Sequence, residues 1–410
     1  MNTVNCRICE ENVEKTFVDL GFTPLSNSYL KKNMLKNEKK FPLHALICKK
    51  CLLVQLDEFE NPKKIFSDYA YFSSYSKTWL KHAEEYVKKM KKRFALDSKN
   101  LVIEIASNDG YLLQYFQKYK IPILGIEPAK NIAKIAEKRK IPTITKFFGT
   151  NLAKELKKSG KQPDLLLGNN VLAHVPKLND FVEGLKIILK PNGVITLEFP
   201  HILKLIEKNQ FDTIYHEHFS YFSLITVKKL FAKHKLVIFD VEELKTHGGS
   251  LRIFIKHKEN TFHKEKNSVK KLLEKEKMFG LTKISTYTNF SHNVNFIRNE
   301  LLEFLHQVKN ENKVVVGYGA PAKGNTLLNF CGITSKLIKY TVDINPHKQG
   351  LYLPGSHIPI KKPKEIFKTK PDYVLILPWN LKKEIVSQMK DIKKWNGKFV
   401  TPIPKVKIYQ

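Results

Sequence analysis

The feature that most constrains this chain of 410 residues is a rhythm: short apolar runs alternate with amphipathic, lysine-rich stretches, stop, and begin again nearer the C-terminus. Between about residues 80 and 257 the segments run 101–106, 111–118, 123–126, 131–139, 164–169 and 194–199. Strand-length runs separated by helical ones predict βαβ units, hence a parallel sheet with helices on both faces. From Lys313 the alternation resumes over 314–319, a helix, 338–343, 373–377 and a helical 381–389, predicting a second, smaller doubly wound unit. The stretch 262–310 between them has helical spacing, high charge and no strand signal, so it reads as linking helices. No repeat is visible at a period of 20–50 residues, although two α/β units of related design are present.

Four of the five cysteines precede this rhythm, in Cys6-Arg-Ile-Cys9 and Cys48-Lys-Lys-Cys51. Each C-x2-C pair brings two thiolates close enough to share one tetrahedral ion, and two pairs complete a four-cysteine zinc site. Such a site is structural, because four sulfur ligands leave no open position for water or substrate. The competing readings are disulfides, which an intracellular chain disfavours, and unpaired thiols, which would not gather four of five cysteines into two such pairs. Cys331 lies outside the pattern and reads as a buried residue.

The run Leu101-Val-Ile-Glu-Ile-Ala-Ser-Asn-Asp-Gly-Tyr passes from a strand through a tight turn into a helix. At the carboxyl end of the first strand of a doubly wound sheet, such a turn lets a ligand approach the backbone, and Gly110 permits it. About twenty residues on, a second strand ends in Glu127, placed to accept hydrogen bonds from ribose hydroxyls. That acid alone also fits a nicotinamide dinucleotide. The turn, however, carries Glu104, Ala106, Ser107 and Asn108 where G-x-G-x-x-G would cradle a pyrophosphate, which favours S-adenosylmethionine. Asn169 to His174, after a later strand, then faces the sulfonium. The bland alternative is that Glu104 and Asn108 merely cap or close a turn.

Histidines and acids crowd Phe211-Asp-Thr-Ile-Tyr215-His216-Glu217-His218-Phe219-Ser220-Tyr221. The histidines are two apart, so they lack the one-turn spacing of H-E-x-x-H, and a catalytic metal is disfavoured. The loop offers a base, a carboxylate and phenols near the carboxyl edge that holds the cofactor. Methylating a carbon requires a carbanion equivalent, so the substrate is expected to be a ketone with an acidic α-hydrogen. His218 is the candidate base, Glu217 its orienting partner, and Tyr215 and His174 the donors to the developing oxyanion.

The formal charge of +32 calls for a partner, yet only five of the 71 basic residues are arginines. Sequence-reading nucleic-acid sites depend on arginine's planar fork, so scattered lysines read as a solvated surface that also draws in an anionic substrate. Nucleic acid is not expected as a partner. No basic segment leads into an apolar run at the N-terminus, and no stretch reaches the roughly 18 apolar residues a membrane span needs, so a soluble, cytoplasmic chain with no membrane contact is expected. Oligomeric state is not legible.

Taken in order, the cysteine pairs, Leu20-Gly-Phe-Thr-Pro-Leu-Ser-Asn27, Tyr69-Ala-Tyr-Phe-Ser-Ser74, the 101–111 loop, Asn169-Asn-Val-Leu-Ala-His174, Tyr215-His-Glu-His-Phe219, His247-Gly-Gly-Ser-Leu-Arg252 and Gly317-Tyr-Gly-Ala-Pro-Ala-Lys-Gly324 resemble the zinc-containing sugar C-methyltransferases of deoxysugar biosynthesis. The resemblance implies an α/β chain with a zinc-binding module (1–75), a Rossmann-like domain that uses S-adenosylmethionine (76–260), a helical linker (261–310) and a C-terminal Rossmann-like domain (311–410). It implies a nucleotide-sugar substrate held between the last two domains, proton abstraction by His218, and Tyr215, Glu217 and His174 close by. Tyr69 is implied to reach in from the first module, with Tyr71 as the fallback for that role and as a substrate contact. Tyr221 and His247 are further substrate contacts in this reading. The 317–324 loop, following a strand and opening a helix, presents Gly319 and Lys323 to a diphosphate. Competing readings are methylation of RNA or of a sugar hydroxyl, and a non-catalytic binding protein.

Overall fold

A computed structural model describes residues 4–59 and 73–410 of the chain. Three sheets organise them. The first is antiparallel and runs β1 (Lys15–Thr23), β2 (Phe41–Ile47) and β3 (Val54–Leu56). Its fourth strand, β9 (Ser220–Tyr221), arrives from far along the chain and pairs Val54 with Tyr221 and Gln55 with Ser220.

The central sheet contains β4 (Val102–Ile105), β5 (Ile123–Ile126), β6 (Thr143–Ile144), β7 (Leu165–Asn169), β8 (Val194–Pro200), β10 (Leu236–Leu244) and β11 (Ser250–His257). Its order is β10-β11-β8-β7-β4-β5-β6, with β11 antiparallel to both neighbours and the other pairs parallel. The parallel strands are apolar almost throughout because helices cover both faces. One of those helices, Lys77–Arg93, starts where the Ser76 hydroxyl accepts the Trp79 amide, and turns Ala83, Tyr86, Val87 and Met90 inward at helical spacing.

The third sheet is ordered β14-β13-β12-β15-β16-β17. It comprises β12 (Val315–Tyr318), β13 (Thr341–Val342), β14 (Ile360–Lys361), β15 (Tyr373–Ile376), β16 (Lys398–Thr401) and β17 (Lys407–Tyr409). Helices Asn267–Phe279, Ile284–Thr288 and Phe290–Asn310 fill the interval between the second and third sheets, as the charge and spacing there predict. Both large sheets reverse direction beside their first strand, β4 in one and β12 in the other, so each has a switch-point crevice at its carboxyl edge. No helix among the described residues is long and apolar enough to cross a membrane.

Candidate active site

The sulfurs of Cys6, Cys9, Cys48 and Cys51 all lie within 4.8 Å of one another. Cys6 Sγ is 3.3 Å from Cys51 Sγ, and Cys9 Sγ is 3.6 Å from Cys48 Sγ. Zinc–sulfur bonds of about 2.3 Å set tetrahedron edges near 3.8 Å, so the four thiols fit one zinc ion. Between the first two cysteines, Arg7 donates from Nη1 to the Leu56 carbonyl at 2.5 Å and to the Phe219 carbonyl at 3.3 Å. The zinc knuckle therefore holds the end of the histidine loop directly.

A cavity of about 760 Å³ opens at the carboxyl edge of β4, β5 and β7. Ala106, Asn108, Glu127, Asn169 and His174 line it, together with Asn170 from the same 169–174 segment. Glu127 Oε2 accepts the Asn108 amide at 3.0 Å and Oε1 accepts the Ala129 amide at 2.9 Å, which locks the turn against the second strand. Both side-chain polar atoms of Asn169 and both carboxylate oxygens of Glu104 are buried without a hydrogen-bond partner among the described residues. Burial, reinforced by Asp109 and Glu127, pushes the Glu104 carboxyl well above the usual range. Unsatisfied buried polar groups are costly. Asn169, which lines the cavity, suits a ligand that brings a cation, amine donors and ribose hydroxyls, as S-adenosylmethionine does.

Glu104, Ser107 and Gly110 do not line the cavity. Gly110 turns with φ 75°, and a Cβ there would meet Ile141 Cδ1 at 2.3 Å, so its lack of a side chain serves packing on Ile141. Tyr69 and Tyr71 lie outside the described residues.

Behind His174 sits the cluster from the 211–221 loop. His218 Nδ1 donates to the Thr213 carbonyl at 2.9 Å; a carbonyl only accepts, so Nε2 is the basic nitrogen, and the Tyr215 hydroxyl donates to it at 2.8 Å. His174 and His218 meet edge to face with centroids 4.7 Å apart. Burial, and then the neighbouring His174, holds His218 well below the ordinary imidazole range, so the ring is neutral at pH 7. His174 Nδ1 donates to the Glu217 carbonyl at 2.7 Å, and burial lowers this ring to about 4. In that tautomer Nε2 is an acceptor, whereas the sequence reading has His174 donating.

The Glu217 carboxylate is bound from outside its own loop. Asn27 Nδ2 donates to both of its oxygens, at 2.7 and 2.8 Å. Asn27 closes one of the sequence blocks that carry the family resemblance, but nothing there links it to a residue 190 positions on. Tyr221 packs edge to face on His218 at 6.1 Å, its hydroxyl buried without a partner among the described residues. His247, in the left-handed region at φ 51°, accepts from Asn170 Nδ2 at 3.0 Å and meets the edge of Trp79. Such backbone strain persists only where neighbours fix it, commonly at sites of function. Arg252, in the same sequence block, is internal: its Nε donates to the buried Glu198 at 2.9 Å.

From the third sheet, the Lys323 ammonium lies 4.6 Å above the Trp379 ring and donates to Asn380 Oδ1 at 3.0 Å. Trp379 Nε1 donates to Asp212 Oδ2 at 2.6 Å, and burial pushes Asp212 up to about 6. The charge of Lys323 also helps keep His218 and His247 neutral, so it acts within electrostatic reach of the histidine cluster. Gly319 turns at φ 89°, and a Cβ there would strike Pro378 at 2.5 Å. Asp212 lies in the crowded 211–221 segment but receives no role from the sequence, and neither does Trp379.

Three family matches cover this architecture: a zinc binding domain over residues 6–66, a methyltransferase domain over 79–239 and a C-methyltransferase C-terminal domain over 245–404. The C-methyltransferase NovU of Streptomyces niveus is 33% identical over 404 residues, covering 98% of this chain and 96% of its own. The chain belongs to the C-methyltransferase family. This enzyme uses S-adenosylmethionine, and its four cysteines form a zinc site. Among solved structures, the PH0226 protein of Pyrococcus horikoshii aligns over 48% of the C-methyltransferase and 99% of its own length at 15% identity and a TM-score of 0.37. Magnesium protoporphyrin IX methyltransferase of Synechocystis aligns over 43% and 83% at 12% identity and a TM-score of 0.35.

Proposed function

We propose that this C-methyltransferase methylates a carbon adjacent to the carbonyl of a nucleotide-linked keto sugar, with His218 as the base. The carrying observation is the pairing of a neutral His218 with Tyr215 through Nε2. Bound S-adenosylmethionine supplies an electrophilic methyl group, which a carbon accepts only as a carbanion equivalent. Ala106, Asn108, Glu127 and Asn169 hold the cofactor in the cavity, with Glu104, Ser107 and Gly110 shaping the turn behind it.

His218 Nε2 takes the α-hydrogen as a proton, and the carbon–hydrogen electron pair passes into an enolate. As Nε2 fills, the Tyr215 hydroxyl is released and turns its proton toward the enolate oxygen. The new imidazolium keeps its Nδ1–H on the Thr213 carbonyl, with the Glu217 charge nearby. His174, neutral and accepting at Nε2, receives a substrate hydroxyl. Tyr221 and His247 shape the sugar pocket, and Tyr69 or Tyr71 completes it from the first module. Lys323, beside Gly319, takes the diphosphate.

In this reading the chain divides into a zinc module (1–75), a methyltransferase domain (76–260), a linker (261–310) and a C-terminal domain (311–410), and it works in the cytoplasm. The test is incubation with labelled S-adenosylmethionine and a panel of nucleotide 4-keto sugars, locating the label by mass spectrometry and NMR. Label on carbon, with wild-type-dependent deuterium exchange at that carbon, is the expected outcome. Label on a sugar oxygen refutes the enolate route, and label only on RNA, in a parallel incubation with total RNA, refutes the substrate class.

A further inference from the structure

Backbone bonds tie down the turn that carries His247 and leave one nitrogen of its ring free. The Gly248 carbonyl accepts Gln210 Nε2 at 3.0 Å and Lys208 Nζ at 3.3 Å, and the Gly249 carbonyl accepts the His201 amide at 3.0 Å. The Gly249 amide closes the turn on the Thr246 carbonyl at 2.8 Å. Gly248 turns at φ 90°, and a Cβ there would meet Trp379 Cη2 at 2.6 Å and Gln210 Nε2 at 2.7 Å. The glycine lets the turn lie directly against Trp379, with His247 one residue before it in the left-handed region.

That turn sets the His247 ring where three parts of the site meet. Asn170, which lines the cofactor cavity, donates to Nε2 at 3.0 Å, and Trp79, which lines it too, meets the ring with centroids 5.1 Å apart. Asn170 is itself fixed, its amide donating to the Glu198 carbonyl at 2.8 Å. Lys323, over Trp379, and His218, from the histidine loop, both act on the ring electrostatically. A neutral ring that accepts at Nε2 carries its proton on Nδ1. That N–H has no hydrogen-bond partner among the described residues, and it lies open in a residue that is only partly buried.

We infer that His247 Nδ1–H is a second donor to the developing enolate oxygen, and that Asn170 is the positioning residue that keeps the proton on that nitrogen. The inference rests on the enolate reading and deepens it. Tyr215 starts on His218 and comes free only as the proton moves, whereas His247 is set before the reaction begins. Burial, and then Lys323, holds the His247 ring down to about 4, so it meets the enolate as a neutral imidazole. A neutral ring N–H gives a hydrogen bond without giving up its proton, so the enolate keeps its electron pair for the methyl carbon. The bond strengthens as charge gathers on oxygen and relaxes when the ketone re-forms.

The first test needs no substrate: long-range proton–nitrogen NMR on full-length, zinc-loaded enzyme labelled with nitrogen-15 histidine, the His247 signals assigned by their loss in His247→Phe. The proton is expected on Nδ1, with and without S-adenosylmethionine. The second test follows kcat and deuterium exchange with the panel of nucleotide 4-keto sugars. His247→Phe keeps a ring beside Trp79 but no donor, and both rates are expected to fall about 10²-fold while S-adenosylmethionine binds as before. Asn170→Asp sets an acceptor against Nε2, which draws the proton there. Its loss should match that of His247→Phe at alkaline pH and shrink toward acid, where a ring beside a carboxylate holds both protons. Glu198, His82, Lys323 and His218, the other groups acting on the ring, are unchanged in that variant. A wild-type proton on Nε2, undiminished exchange in His247→Phe, or a loss in Asn170→Asp that acid does not relieve would overturn the role of His247 and leave the enolate reading intact. Wild type that methylates carbon without exchange would overturn both.

Discussion

The zinc knuckles and the histidine loop are both clusters of metal-binding or titratable side chains, yet they are assembled in opposite ways. The zinc site is made of two local turns, each closing on its own cysteine pair, and needs one ion to join them. The histidine loop is continuous in sequence but takes its geometry from elsewhere. Asn27 sets Glu217, Thr326 holds Ile214, Pro42 receives His216 and Arg7 holds Phe219. One cluster is fixed by its ligands, the other by its neighbours, and Arg7 joins them.

The largest effect should come from cutting that join at its source. Cys48→Ser, or stripping the metal with a chelator, removes binding energy on the order of 10 kcal/mol from a module with a small core. Loss of β3 would release β9 and the Phe219 carbonyl with it. Turnover should vanish while S-adenosylmethionine, held by the central sheet, still binds; calorimetry and zinc content measured together check this. Should zinc-free enzyme turn over normally, the two clusters are not coupled.

Next in size is the base itself. His218→Asn keeps an amide able to donate to Thr213 but removes the basic nitrogen, and turnover should fall by about 10²- to 10⁴-fold. Cofactor affinity should hold, and deuterium exchange into substrate should fall in parallel with methylation. Exchange that survives in the variant would assign proton removal to another group.

The same contrast explains what can be read from the sequence. The cysteine pairs, the strand–turn–helix of 101–118 and the acid at Glu127 are chemistry written at short spacing, so periodicity and motif are enough. The α/β class and the two doubly wound units come from the same local patterns. What the sequence does not contain is the partner of a side chain across 100 or more positions. Asp212 reads as one more acid of the histidine loop, and only the third sheet shows that Trp379 is its partner. The donor or acceptor state of His174 depends on the carbonyl it faces, which no residue type encodes. Gly110 reads as an opening for ligand because glycine in a turn has two uses, and only packing shows that Ile141 fills the space.

Acid should separate the clusters more gently. Burial lowers His174 and His247 to about 4 from an ordinary 6.5. In the unfolded chain these rings take up protons near 6.5, while the folded rings stay neutral until about 4. The stability they contribute is therefore complete above pH 6.5 and is lost as pH falls toward 4, by about 2 kcal/mol per ring at pH 5. Denaturant unfolding at about pH 7 and pH 5 measures it. His247→Gln should flatten the slope by about one ring's share, and an unchanged slope would mean that ring is not held neutral. Activity should persist to lower pH than an ordinary imidazole allows, because His218 is shifted the same way.

The smallest effect expected is at Asn27, and it discriminates most finely. Its amide donates to both oxygens of Glu217 across 190 residues, so it fixes a carboxylate that the loop alone would leave to rotate. Removing one hydrogen bond to a charged group costs about 1.5–3 kcal/mol. With part of that cost reaching the transition state, Asn27→Ala should lower kcat by about tenfold and at most about a hundredfold, with KM nearly unchanged. If Asn27 only fills space, the isosteric Asn27→Asp should be milder than Ala. If it positions Glu217, Asp is worse, because it deletes the donor and sets a second carboxylate against the first; kcat should then recover on the acid side, where one of the pair takes up a proton. The order of the two variants, and the direction in which pH moves the Asp form, decides whether the histidine loop is held from outside.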